Sequence, residues 1–211
     1  MVLIKLLYNY IMNSNNIKKT KKYSRKKTKS RKKTKKVYNI KDYSSSNGML
    51  TSVWGPSLWH TLHTISFNYP VNPTKIDKKK YKEFIINLQY ILPCSYCRIN
   101  LKKNFKKFPL NSSHMKNRHS FSYYIYELHE RINKCLNKHS NLSYIDVKER
   151  YEHFRSRCTI QNKKDEIFYF KKKEKGCTEP LYGKKSKCII KIVPSDKKCK
   201  SFQIDKMCIK Q

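Results

Sequence analysis

From about Gly48 onward, large apolar residues recur every three or four positions, the repeat of one buried helical face. Trp54, Leu58, Leu62, Ile65 and Tyr69 set the first stripe, and Pro70 stops it. Tyr81, Phe84, Ile85, Leu88 and Ile91 set a second, begun near Asp77 and closed at Pro93. Ile99, Leu101, Phe105 and Phe108 follow Cys97 on a basic third helix that ends before Pro109. Phe121, Tyr124, Ile125, Leu128, Ile132 and Leu136 make the fourth and clearest stripe; Val147, Tyr151 and Phe154 make a short fifth. Short connections favour antiparallel neighbours, so the pattern predicts an all-α fold: a four-helix bundle plus a short fifth helix.

The flanks read differently. Residues 1–46 form a basic arm, expected to be disordered: 13 Lys and Arg fall within residues 13–36, with no acid among them. Two readings of that run stand side by side: a tether to nucleic acid or an anionic surface, and a solubilising tail. Residues 1–11 are apolar around one lysine, without the charged leader and small-residue cleavage site of a secretory signal. Met12 is an equal candidate for the start. Residues 47–158 hold the helical pattern. Residues 159–211 are a Cys-rich extension with Cys177, Cys188, Cys199 and Cys208 and a β-like CIIKIV run at 188–193. Its apolar content is too small for a core, so disulfides or the bundle must order it.

Composition narrows the classes. The 211 residues carry 49 Lys and Arg against 14 Asp and Glu, a formal charge of +35. Only 38% are hydrophobic, which fits one ordinary domain with polar ends. No apolar run reaches the roughly 18 residues of a membrane-spanning helix. Four glycines leave no Gly-rich phosphate loop. Eight cysteines point to metal binding, disulfides or redox chemistry.

Cys94-Ser-Tyr-Cys97 sits between Pro93 and the third helix. A CxxC at a helix N-terminus closes a small disulfide ring, and the helix dipole with Arg98, Lys102 and Lys103 favours its thiolate. By itself the motif leaves redox, zinc and structural readings open. With His114 and His119 it forms C-x2-C-x16-H-x4-H, slightly longer than zinc-finger spacing, and a zinc-stabilised nucleic-acid-binding protein is the alternative. Its histidines, however, lie in a polar loop. Two further pairs share helical faces: Trp59 with His63 on the first helix, and His129 with Asn133 on the fourth. Taken singly, each is a core aromatic or amide beside a satisfied histidine. Taken together beside a CxxC, they predict a clamp for a planar cofactor. Cys135 is expected to be a buried small residue.

The order WGPSLWHTLHTISFNYP, LPCSYC, FSYYIYELHERINKCLNK and VKERY resembles the Erv/ALR family of FAD-linked sulfhydryl oxidases over residues 54–158. The basic arm and extension are most similar to versions encoded by large DNA viruses. The resemblance implies a dimeric bundle holding FAD noncovalently, with Gly55, Ser57, Trp59, His63, His129, Asn133, Lys138, Arg150 and Tyr151 as cofactor-binding residues. It places Trp59 and Tyr151 against the adenine, and Lys138 and Arg150 near the pyrophosphate. Cys94 and Cys97 become catalytic, Cys94 as the interchange sulfur and Cys97 facing the flavin. Dithiols in substrate proteins would be oxidised, with oxygen reduced to hydrogen peroxide. Host cytoplasm or virion is the implied compartment. Two features depart from the family: Ser143 and Tyr144 stand where an upstream partner for Cys158 would lie, and no second CxxC serves as a shuttle.

Overall fold

A computed structural model of the chain describes residues 39–46, 48–157, 176–194, 196–197 and 204–210. The basic run 13–36, Cys158 and Cys199 lie outside the described residues. The order of elements is α1 (Ile40–Tyr43), α2 (Thr51–Phe67), α3 (Lys75–Ile91), α4 (Ser95–Lys107), α5 (Arg118–Cys135), α6 (Tyr144–Glu152), β1 (Ser156–Arg157) and β2 (Glu179–Pro180). A short 3-10 turn follows at Lys206–Cys208. Helices α2 to α5 are the expected four-helix bundle and α6 the expected short fifth helix. The single turn of α1 falls within the arm expected to be disordered.

Local chemistry starts each helix. Thr74 and Asp77 form a capping box on α3, each satisfying a backbone N–H of the other. Ser143 and Asp146 repeat the device on α6. The Asn117 side chain accepts from Ser120 N at 2.9 Å to open α5. Cys94 caps α4 through its own sulfur.

Packing then selects among the apolar positions. Helix α2 lies along α5, α3 along α4, and α6 covers one flank of α2. Leu62, Ile85, Leu88, Leu101, Phe121, Ile125 and Leu128 form the main core. A smaller cluster of Phe67, Leu142, Val147 and Tyr151 sits under α6. On α3 the buried line runs through Tyr81, Ile85 and Leu88 to Leu92, whereas Phe84 and Ile91 are 39% and 66% exposed. Ile99 on α4 is likewise exposed. These three belong to the sequence stripes but stand on flanks that no neighbouring helix covers. Tyr69, expected to end the first helix, lies two residues beyond it and is fully buried. Its hydroxyl donates to Met115 O at 3.1 Å, and Arg118 Nε donates to its carbonyl at 2.6 Å.

The extension docks on the end of α6. Ser156 pairs with Pro180 and Arg157 with Glu179 in a two-stranded antiparallel ladder. Leu181 N donates to Arg155 O at 2.8 Å, and Lys210 N to His153 Nδ1 at 3.1 Å. Cys177 is disulfide-bonded, while Cys188 and Cys208 are free thiols. The CIIKIV run forms no strand; Ile189, Ile190 and Ile192 are exposed. A strand needs a partner for its backbone groups, and among the described residues none pairs with this run. No helix among the described residues is long and apolar enough to cross a membrane.

The Tyr69 hydroxyl ties the end of α2 to the loop before α5. Replacing it (Tyr69→Phe) leaves the buried Met115 carbonyl without its donor and is expected to lower unfolding free energy by about 1–3 kcal/mol, measured by denaturant melts.

Candidate functional site

Cys94 and Cys97 form a disulfide at the N-terminus of α4. Cys94 Sγ accepts a hydrogen bond from Cys97 N at 3.2 Å, so it takes the place of a side-chain oxygen in an N-cap. Both cysteines are half-buried. Arg98 directs its guanidinium to Leu92 O at 2.6 Å, bracing the turn between α3 and α4.

Residues just before α2 reach the same turn. Gly48 bridges Cys94 in an isolated antiparallel pair, and Met49 N donates to Pro93 O at 2.7 Å. Gly48 has φ +115°, and a Cβ there would stand 2.5 Å from Pro93 O. Only glycine permits both the left-handed backbone and that approach. Trp54 Nε1 donates to Met49 O at 3.0 Å, and Thr51 Oγ1 lies 3.7 Å from Cys97 Sγ.

The disulfide borders a cavity of about 510 Å³. Gly55, Trp59 and His63 line it from α2, and His129 and Asn133 from α5. The cavity therefore unites the CxxC with both helical pairs singled out in the sequence. Trp59 stacks on His129, with centroids 3.9 Å apart and planes 6° off parallel. Those two rings cover each other, so the expected clamp is not an open slot between them. The reason is packing: α2 and α5 are neighbours, and their aromatic faces meet.

His63 is fully buried, and its Nε2 shares a hydrogen bond with His129 Nδ1 at 3.0 Å. One proton serves this link, and burial holds both imidazoles neutral. The pKa of His63 is lowered to about 3, by desolvation first and by His60 second. Desolvation, then His63, also drives His129 down. His63 Nδ1 is buried without a hydrogen-bond partner among the described residues.

Other expected residues lie around these walls. Tyr151 sits behind His63 in the second core cluster; its ring stacks on Phe67 at 5.3 Å and its hydroxyl meets His60 Nδ1 at 3.2 Å. Lys138, Arg150 and Ser57 are half-buried and do not line the cavity. Burial lowers the Lys138 pKa to about 8 and depresses Arg150. Cys135, expected to be buried, is exposed as the last residue of α5, where the chain turns away from the core. Thr51, Gly48 and His60 were beyond sequence reasoning: Thr51 and Gly48 precede the first stripe, and His60 is one of several polar residues within it.

The zinc constellation does not assemble. His114 packs against Phe108 and Tyr124, His119 against Tyr123 and Tyr144, and the two cysteines are bonded to each other. No group of three metal-ligating side chains occurs among the described residues.

The neutral imidazole pair has a pH consequence. Unfolded, both histidines take up protons below about 6.5; folded, they resist until far lower pH. Stability is thus complete above about 6.5 and falls as pH drops toward about 3. Thermal melts should show a steeper loss between these limits for the wild type than for His63→Asn.

The stretch from α2 to α6 is similar to known proteins. The Erv1 / Alr family model matches residues 56–152. A probable FAD-linked sulfhydryl oxidase of Acanthamoeba polyphaga mimivirus is 32% identical over 99 residues, covering 47% of this chain and 68% of that protein. A FAD-linked sulfhydryl oxidase of African swine fever virus is 32% identical over 99 residues, covering 47% of this chain and 80% of that one. The mitochondrial FAD-linked sulfhydryl oxidase of Saccharomyces cerevisiae is 30% identical over 84 residues, covering 40% and 43%. Among solved structures, the FAD binding domain of yeast Erv1 aligns at a TM-score of 0.44 and 26% identity, covering 49% of this chain and 94% of that one. With viral relatives matched across more than two thirds of their own length and a family model spanning α2 to α6, the chain belongs to the Erv1/Alr family.

Proposed function

We propose that the chain is a FAD-linked thiol oxidase that makes disulfides in substrate proteins. Overall, two substrate thiols become one disulfide while oxygen becomes hydrogen peroxide, which balances two electrons and two protons. The observation that carries this reading is the Cys94–Cys97 disulfide bordering the cavity that Trp59, His63, His129 and Asn133 line.

Those residues fit FAD. Apolar aromatic walls suit a planar ring system, the half-buried Asn133 amide on the wall offers it a polar contact, and a cavity of about 510 Å³ lies within the usual range for cofactor sites. Bound there, FAD supplies a two-electron acceptor that oxygen can reoxidise. Gly55, Trp59, His63, His129 and Asn133 form the ring-binding walls in this proposal. Lys138 and Arg150 contribute positive charge to the pyrophosphate, with Ser57 and Tyr151 completing the set. The neutral state of His63 and His129 keeps their hydrogen-bonding capacity without placing a buried charge beside the cofactor.

The protein's own chemistry begins with a substrate thiolate attacking Cys94 Sγ. The bond to Cys97 breaks, a mixed disulfide forms on Cys94, and Cys97 leaves as a thiolate. A second substrate thiolate then displaces Cys94 and completes the substrate disulfide. Cys97 N, at the positive end of α4, stabilises the Cys94 sulfur when it is released.

The zinc-stabilised nucleic-acid reading has no assembled site among the described residues. A homodimer is part of the proposal, supported by Phe84 and Ile91 standing exposed seven residues apart on one face of α3. The compartment proposed with it is host cytoplasm or virion; fractionation of infected cells and analysis of purified particles test it.

Three measurements check the reading. The purified protein should show a flavin absorption band that bleaches on adding a dithiol under argon and returns in air. Cys97→Ser should keep the band and lose at least 100-fold (order of magnitude, ~10²) in dithiol-driven oxygen consumption; normal turnover by that variant would remove Cys97 from the route. Sedimentation should give twice the chain mass, and Phe84→Glu with Ile91→Glu should shift it to the monomer.

A further inference from the structure

We propose that Thr51 is a catalytic hydrogen-bond donor that holds the Cys97 sulfur as it leaves the Cys94–Cys97 bond. This rests on the thiol-oxidase reading above.

The two sulfurs have different donors. Cys94 Sγ receives Cys97 N from its own helix at 3.2 Å. Cys97 Sγ meets Thr51 Oγ1, 46 residues away on α2, at 3.7 Å. A disulfide sulfur carries no proton, so the hydroxyl is the donor in this pair. The placement of Thr51 is built into the fold. Gly48 and Met49 are pinned to Pro93 and Cys94 by backbone pairing. Met49 O is held in turn by the Trp54 indole. The first turn of α2 is therefore tied to the CxxC turn on both sides of Thr51. Thr51 and Cys97 also border the same cavity.

The hydroxyl acts at one step. When a substrate thiolate attacks Cys94 Sγ, the bonding electron pair stays on Cys97 Sγ. The new bond joins the substrate sulfur to Cys94, and the broken one is Cys94–Cys97. The second substrate thiolate then displaces Cys94, so the substrate loses two electrons and the cysteine pair gains them; protons exchange with water. A leaving thiol departs faster as its pKa falls. A hydrogen bond to the developing thiolate favours the charged form and lowers that pKa. Thr51 thereby biases which sulfur leaves: Cys94 is supported by its helix N-terminus, Cys97 by a side chain from another helix.

The test reads the Cys97 thiol itself. In the full chain carrying Cys94→Ser, the rate of iodoacetamide alkylation is followed against pH. Peptide mass spectrometry reports Cys97 separately from the free thiols Cys135, Cys188 and Cys208. Adding Thr51→Val, which removes the hydroxyl at similar shape, should raise the apparent pKa of Cys97 by about one unit, a tenfold loss of thiolate at fixed lower pH. Thr51→Ser should restore it. Equal pKa values for Thr51 and Thr51→Val chains would overturn the assignment, as would a Thr51→Ser chain that follows Thr51→Val. Should circular dichroism show Thr51→Val unfolded, Thr51→Ala against Thr51→Ser gives the same comparison. Alkylation requires no turnover, so failure of the oxidase reading shows separately, as absent oxygen consumption by the chain with both cysteines intact.

Discussion

The packing of α2 against α5 is the constraint on which the site depends. It brings His63 within 3.0 Å of His129 and lays Trp59 on the His129 ring. Two imidazoles held this deeply tolerate no charge, so they persist as a neutral pair sharing one proton. That link joins the two helices with a directional contact inside the core. It also sets which ring nitrogens remain for a ligand. His63 Nδ1 stays buried without a partner among the described residues.

Around this axis the disulfide is positioned from two directions. Helix α4 starts just after Cys94, whose sulfur caps the helix by accepting from Cys97 N. The strand-like turn at Gly48 and Met49 closes on the opposite side, allowed by a glycine where any side chain would strike Pro93. A half-buried sulfur pair therefore stands at a helix start, edged by hydrogen-bond donors and by the cavity. The extension adds a different element: it fastens to α6 by a short ladder and a few backbone bonds, leaving Cys188 exposed and Cys208 half-buried.

The helices and the chemistry-bearing pairs were readable along the chain because both depend on short spacings. Apolar residues three and four apart define one side of a helix, and Trp59 with His63, or His129 with Asn133, share a face for the same reason. A CxxC next to Pro93 and a basic helix likewise announces a constrained sulfur pair. So the all-α class, the five main helices and the core of the candidate site follow from local pattern, and the family resemblance rests on those same residues.

What local pattern does not contain is which face meets which neighbour. Phe84, Ile91 and Ile99 match the period of their stripes, yet they stand in solvent because α3 and α4 cover only part of that arc. Cys135 has the character of a core residue but falls at a helix end. The CIIKIV run has strand-like residues without a pairing partner among those described, and a strand exists only through its pairing. Trp59 closes on His129 only because two helices 66 residues apart at His63 and His129 are packed together. Thr51 acquires a role only where α2 starts beside Cys97. Periodicity is set by bonds between residues a few places apart, so the sequence determined the helices; burial, proton sharing and the donor to a sulfur depend on atoms distant along the chain, so tertiary packing alone decided them.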